Sequence, residues 1–293
     1  MSEILPVRIG GSDIGNILGD GYKSPRRLYY EKAGMVDKFE GNSLTEMGNE
    51  LEQPILKIWA DRNGYEVISD GIFNDIQADY QYSDTLIIGA QIDGLVRKDG
   101  KYWLVEIKTT GNPANAKDYT PPESYICQAC WGLHKVKLLN LGIQIEGSIL
   151  VCWAFGRWGR TEHERPIGYN QAWFDYAVTQ AEIFAECCIQ CVEPELIGHD
   201  DELDTLKGLD RQEDEVVDLP ELEKLVAEMQ SHKALIKEWQ SMIDHMQAEI
   251  LDKMGTATAA TAGKYKITCN QVNKAAYTVK PQSYRETRIK EMK

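Results

Sequence analysis

No stretch of this 293-residue chain approaches the roughly 20 consecutive apolar residues of a membrane span. The first residues, Met1-Ser2-Glu3-Ile4-Leu5-Pro6, lack the basic start and apolar run of a secretory signal. The expectation is a cytoplasmic protein with no membrane partner. Cysteine is sparse and odd in number, 7 in all, which does not suit a disulfide framework and fits free thiols in a reducing compartment. Two CxxC pairs, Cys127/Cys130 and Cys188/Cys191, have a spacing that zinc or an iron–sulfur cluster can use. Each falls inside a stretch that reads as helix, without the glycine knuckle of a metal ribbon. No internal repeat is present, and no low-complexity segment beyond a short Ala/Thr run.

Basic residues are also in short supply. There are 32 Lys and Arg against 46 Asp and Glu, a net charge of −14, which on its face argues against nucleic acid. The distribution softens this. Residues 193–223 hold 13 acidic and 2 basic side chains, whereas residues 264–293 hold 8 basic and 2 acidic ones. A negative body can still bind DNA through a local basic groove, and part of its acidic excess would be metal ligands.

What is present reads as an α/β chain. Ser24-Pro25 is an N-cap followed by proline at the first helical position, and Gly34 ends that helix. A second helix is predicted over 45–63, with Leu51, Ile55, Ile58 and Trp59 on its apolar face. Strands are predicted at 65–68, 71–76, 85–97 and 101–109, then a helix at 123–134, strands at 145–156 and 161–167, and a helix at 170–192. The acidic stretch 193–219 reads as a linker. Beyond it, a long helix over 221–254 carries Leu222, Met229, Ile236, Ile243 and Ile250 every seven residues, with Leu225, His232, Trp239 and Met246 at the second apolar position. That pattern suits packing against a second helix. A small β segment and a basic tail follow. The domains are therefore 1–192, a linker 193–219, and a C-terminal extension 220–293.

The segment 86–110 carries the chemistry. Asp99-Gly100 is a two-residue hairpin signal, and in such a hairpin the paired residue numbers sum to 199. Asp93 then lies opposite Glu106, and Gln91 opposite Lys108. Trp103, Val105 and Ile107 take one face of the second strand, which reads as core, and Glu106 and Lys108 take the other. Two carboxylates opposed at about 5 Å destabilise a sheet unless a cation offsets them. Hard oxygen ligands favour magnesium, with manganese able to substitute, and such an ion suits phosphodiester hydrolysis. Lys108 could orient a water or stabilise developing charge. A generic Glu-x-Lys on a strand is usually only a surface ladder, but here Leu104, Val105 and Ile107 flank it and Asp93 opposes it.

Asp93 with Glu106-Ile107-Lys108 resembles the signature of the restriction-endonuclease-like PD-(D/E)xK nucleases. Arg8-Ile9-Gly10-Gly11-Ser12-Asp13-Ile14 with Tyr22-Lys23-Ser24-Pro25 resembles the opening of the YqaJ-like viral recombinases, the phage lambda exonuclease family. Gly48-Asn49-Glu50-Leu51-Glu52-Gln53-Pro54-Ile55 and Tyr125-Ile126-Cys127-Gln128 resemble two further segments of it, and the likeness spans about residues 8–170. The fold it implies is a restriction-endonuclease-like mixed central sheet flanked by helices, here with a long C-terminal helix and a small β segment. The resemblance implies Asp93, Glu106 and Glu52 as metal ligands (Glu50 being the lesser choice), Lys108 as catalytic lysine, and Gln128 as a further residue of the reacting site. Arg8 and Ser12 would hold a terminal 5′-phosphate, although Ser12 also reads as a plain helix cap. Where the family often has tyrosine four residues after the glutamine, this chain has Gly132.

The function so implied is a Mg2+-dependent exonuclease, 5′-to-3′ on linear double-stranded DNA. It would act in phage recombination in a bacterial cytoplasm, beside a single-strand annealing protein and as a trimer. Three alternatives stand beside it: a site-specific or structure-specific endonuclease on the same fold, a catalytically inactive interaction protein built around the heptad helix, and an iron–sulfur nuclease.

Overall fold

The computed structural model describes residues 5–38, 40–111, 120–156, 159–209 and 217–271, which fall into two compact units divided after Leu209. The first unit opens with β1 (Val7–Ile9), α1 (Gly11–Ile17) and α2 (Pro25–Lys32). The Ser24 hydroxyl accepts from Arg27 N at 3.1 Å, so the Ser-Pro signal caps α2 as the sequence predicts. Next come α3 (Ser43–Asn63), β2 (Glu66–Ile68), α4 (Gly71–Asp75), β3 (Tyr80–Gln81), β4 (Leu86–Ile88), β5 (Gly94–Lys98) and β6 (Lys101–Thr110). The unit closes with α5 (Glu123–Leu139), β7 (Ile145–Gly156), β8 (Gly159–Ile167), α6 (Gln171–Gln190) and α7 (Glu202–Gly208).

The main sheet has the order β2-β5-β6-β7-β8 and is mixed, with only β6 and β7 running parallel. A smaller sheet of order β1-β4-β3 sets β1 parallel to β4. Helices cover the main sheet on both faces. On one face Ile55, Leu56 and Trp59 of α3 pack with Val105, Ile107 and Val151. On the other Ile126, Ala129 and Cys130 of α5 pack with Leu150 and Cys152. This is the mixed α/β sheet flanked by helices that the sequence predicts.

The strand predicted over 71–76 is instead the helix α4. Asp70 accepts from Ile72 N at 3.0 Å and starts the turn, and Ile72 and Ile76 then share one side at helical spacing. The predicted strand over 85–97 divides into β4 and β5, which belong to different sheets, with the segment 89–93 between them. Residues 193–209, whose acidity reads as linker, lie in the first unit. Three of their carboxylates are tied to the unit, two of them by backbone donors. Glu202 accepts from Ile197 N and Gly198 N at 2.8 and 2.9 Å, Asp201 accepts from Ser24 N at 3.1 Å, and Arg26 pairs with Glu193.

The second unit contains α8 (Glu223–Met254), entered through a 3-10 turn at Pro220–Leu222 and ended at Gly255, then a hairpin of β9 (Ala259–Ala262) and β10 (Tyr265–Thr268). None of the α8 residues is buried, and Ile236, Trp239 and Met246 of the heptad seam are exposed. Most of the basic tail, from residue 272, lies outside the described residues.

Candidate active site

The β5–β6 hairpin turns at Asp99 and Gly100, both at positive φ, 50° and 77°, as a tight turn of this kind requires. Its register pairs Lys98 with Lys101 and continues to Gly94 with Val105, so the pairs sum to 199 as the sequence predicts. The ladder stops there. Asp93 immediately precedes the first residue of β5, and its Oδ2 accepts from Ile107 N at 2.8 Å, so the side chain takes over the bond a further strand residue would have made.

On β6, Val105 and Ile107 face α3, and Leu104, Glu106 and Lys108 take the opposite side. That side is not open to water. Glu106 is 3% exposed, because α5 and its neighbours close over the face. Lys108 Nζ lies 2.6 Å from Glu106 Oε1. Among the described residues this buried oxygen has no other partner. Glu52 stands half-buried on α3 and shares the wall of a cleft with Ile107, Lys108 and Thr109. It also borders a second cleft with Arg8, Gln77 and Asp93.

The ionisation of the four groups is coupled. Burial pushes Glu106 up to about 8; Lys108 opposes the rise, and Asp93 and Glu52 add to it. Asp93 is raised by burial against the pull of Lys108 and of the Ile107 N–H, and Glu52 is raised by burial and by Asp93. Burial draws Lys108 down, but Glu106, Asp93 and Glu52 outweigh it and hold the ammonium above its ordinary range. Three carboxylates and one lysine therefore feel one another's charge, and each carboxylate is held in a state of raised energy.

An oxygen-rich set around a buried carboxylate is chemically what a hard divalent cation satisfies. Among the described residues no three acidic, histidine or cysteine side chains already converge on one point, and the Lys108 ammonium supplies the counter-charge at Glu106. Glu50 is exposed on α3, whereas Glu52 one half-turn on faces the cluster.

Gln128 lies on α5 with its side chain against Gly11 of α1. One turn earlier, Tyr125 sets its ring 5.4 Å from Lys108 Nζ and receives the hydroxyl of Tyr22 at 3.0 Å. Arg8 reaches Asp79 through Nε and Nη2 at 2.7 and 3.0 Å, and this pairing holds its guanidinium above its ordinary range. Ser12 is exposed in the first turn of α1. It is not the cap: Gly10 holds that position, and the Asp13 carboxylate accepts from Gly10 N at 3.0 Å. Gly132 is buried where α5 meets the segment before Asp93, and a Cβ there would fall 2.8 Å from Ile92 Cδ1. A tyrosine at this position would have to displace that segment.

Four residues around the site have no role assigned from the sequence: Tyr125 and Gln53, which lie within the family-like segments, and Gln77 and Lys135. Gln53 donates to Asp93 O at 3.0 Å, and Gln77 exchanges two hydrogen bonds with Ile92. Lys135 is fully buried, donates to Ile76 O and Ala90 O at 2.7 Å each, and is pushed down to about 8 by burial, with Arg8 adding and Asp79 opposing. Its position one turn after Trp131, on the buried face of α5, was the available signal. The cysteine pairs lie on α5 and at the end of α6, and burial raises Cys127, Cys130 and Cys188 to about 12, 11 and 11, which favours the thiol over the metal-binding thiolate.

Residues 3–135 match the model of a family described as the YqaJ-like viral recombinase domain. No protein of curated function matches the chain in sequence. Among solved structures, the alkaline exonuclease LHK-Exo from Laribacter hongkongensis is similar at a TM-score of 0.43 and 18% identity, over 63% of this chain and 91% of that one. LHK-Exo in complex with dAMP gives 0.41 and 17%, over 63% and 90%. Among the described residues no helix is long and apolar enough to cross a membrane.

Proposed function

We propose that this chain, whose residues 3–135 match the YqaJ-like viral recombinase domain, is a divalent-metal-dependent exonuclease of linear duplex DNA, acting from 5′ ends. The observation that carries the proposal is the buried Glu106, coupled in charge to Asp93, Glu52 and Lys108 inside the matched stretch. A structural sheet has no use for three carboxylates that burial holds above their ordinary pKa, with Asp93 adding to the rise at both Glu106 and Glu52.

In this reading Asp93, Glu106 and Glu52 hold the ion, with Mg2+ the expected metal and Mn2+ able to replace it. When bound, such an ion polarises a phosphodiester and lowers the pKa of a water. Lys108 holds a proton and a positive charge beside Glu106, where it can orient the attacking water or stabilise charge that develops on the phosphate. Tyr125 packs beside its ammonium and fixes its direction. Gln128 holds the site from α5. Arg8, which shares a cleft with Glu52 and Asp93, binds the terminal 5′-phosphate with Ser12, exchanging its Asp79 partner for the phosphate. An annealing protein that takes up the exposed strand, and a trimeric assembly, rest on the family alone.

The test supplies linear and closed circular duplexes of one sequence with Mg2+ or with EDTA. The proposal expects loss of the linear form only, and only with metal. Cutting of the closed circle would make the chain an endonuclease on the same fold.

A further inference from the structure

The segment Gly89–Asp93 runs between two strands of different sheets and has no ladder of its own. Beyond Gly89, whose N–H donates to Ile9 O at 2.9 Å, its backbone is held by side chains from three directions. Lys135 of α5 donates to Ala90 O at 2.7 Å. Gln77, just past α4, donates to Ile92 O at 2.8 Å and accepts from Ile92 N at 3.0 Å. Gln53 of α3 donates to Asp93 O at 3.0 Å. Lys135 also donates to Ile76 O at 2.7 Å, so one buried ammonium ties the base of Gln77 to the segment that Gln77 grips.

We infer that Gln77, seconded by Gln53 and Lys135, is a positioning residue that sets Asp93 as a metal ligand. Its side-chain amide does for Ile92 what a neighbouring strand does for a ladder residue: one donor and one acceptor, both satisfied. The carboxylate sits one residue further on. Its Oδ2 is tied to Ile107 N, and its Oδ1 accepts from no described residue, which leaves one oxygen free for an ion. A shift of about 1 Å at Ile92 would move that oxygen out of a ligand position, because coordination tolerates only a few tenths of an ångström. Gly132 admits α5 close enough to pack on Ile92, so the segment is held by packing as well as by polar bonds. Buried polar networks of this kind fix one geometry when every member is satisfied.

The inference rests on the metal-centre reading, and the experiment separates the two. Mn2+ binding to the full-length, metal-free protein is measured by calorimetry for wild type, Gln77→Met and Glu106→Gln, alongside amide exchange at Ile92. Methionine keeps the length of Gln77 and removes both hydrogen bonds. The expected result is a folded Gln77→Met protein that exchanges the Ile92 amide faster and binds Mn2+ about 10–100-fold more weakly, the range for loss of an outer partner of a ligand. A merely structural glutamine would lower the melting temperature and leave Mn2+ affinity unchanged in the folded protein, and that result overturns the inference. Wild type that binds Mn2+ no better than Glu106→Gln would overturn the metal-centre reading, and this inference with it. If Gln77→Met does not fold, Gln53→Met, which cuts one bond from an exposed side chain, carries the same comparison.

Discussion

The Asp93 carboxylate accepts the backbone N–H of Ile107 at 2.8 Å, one residue past the last pair of the β5–β6 ladder. A side chain thus closes the hairpin where the backbone leaves it, and it does so between Glu106 and Lys108. The same bond that completes the sheet aims the carboxylate at the site.

Glu106→Gln should raise the melting temperature of the metal-free protein. The folded-state pKa of Glu106 stands near 8, above its ordinary 4.5, so its contribution to stability is fully present below pH 4.5 and is lost as pH rises through 8. The advantage of the glutamine variant should therefore grow across that window. It should reach on the order of 1–3 kcal/mol, since Lys108 loses its closest partner and offsets part of the gain. Thermal scans from pH 4.5 to 8.5 measure it. Added Mg2+ should then stabilise wild type and leave the variant unmoved. A variant that is less stable at every pH would show that Glu106 is a structural ion-pair partner.

Acid should weaken the fold through His134. Its ring is 2% exposed, stacks on Phe174 at 4.4 Å, and accepts from Asn170 N at 3.3 Å, which a neutral imidazole alone can do. Burial first, then Lys137, lower its pKa to about 4. The unfolded chain binds the proton near 6.5, so stability falls as pH drops from 6.5 to 4, by about 3 kcal/mol at the lower end. His134→Phe should flatten urea midpoints across this range. An unchanged slope would place the acid sensitivity elsewhere.

The boundary of the catalytic unit can be measured by truncation. A chain ending at Leu209 keeps the bonds from Asp201 to Ser24 and from Glu202 to Ile197 and Gly198 and should fold and cut DNA. A chain ending at 192 loses them, together with the Arg26–Glu193 pair, and should melt well below it. Equal melting temperatures would make residues 193–209 the linker that their composition suggests.

Arg8→Ala should abolish a preference for 5′-phosphorylated ends while leaving slow cutting of 5′-hydroxyl ends intact. Equal wild-type rates on the two ends would remove Arg8 and Ser12 from phosphate recognition. The nuclease centre would stand.

The sequence exposes what depends on short-range pattern. Asp99-Gly100 fixes the hairpin, the period of two places Glu106 and Lys108 on one side, and Ser24-Pro25 starts α2. Features that depend on distant partners stay hidden. Ile72, Phe73 and Ile76 fit either a strand or a helix until Asp70 caps the turn. The role of Lys135 stays hidden because its acceptors, Ile76 O and Ala90 O, lie 59 and 45 residues away. Gln53 and Gln77 bond to backbone, which leaves no trace in side-chain pattern. The acidic run 193–219 reads as linker by composition, which carries no sign that Asp201 and Glu202 meet backbone donors.

The central claim is that phosphodiester cleavage occurs at the Glu52, Asp93, Glu106 and Lys108 cluster. It is tested most directly by single-turnover digestion of a 5′-end-labelled linear duplex with wild type and Lys108→Ala, at saturating Mg2+ and with matched far-UV spectra. Label release by wild type, lost on adding EDTA and slowed at least about 1,000-fold in the variant, is the predicted result. Wild-type rates from a folded Lys108→Ala protein would contradict it.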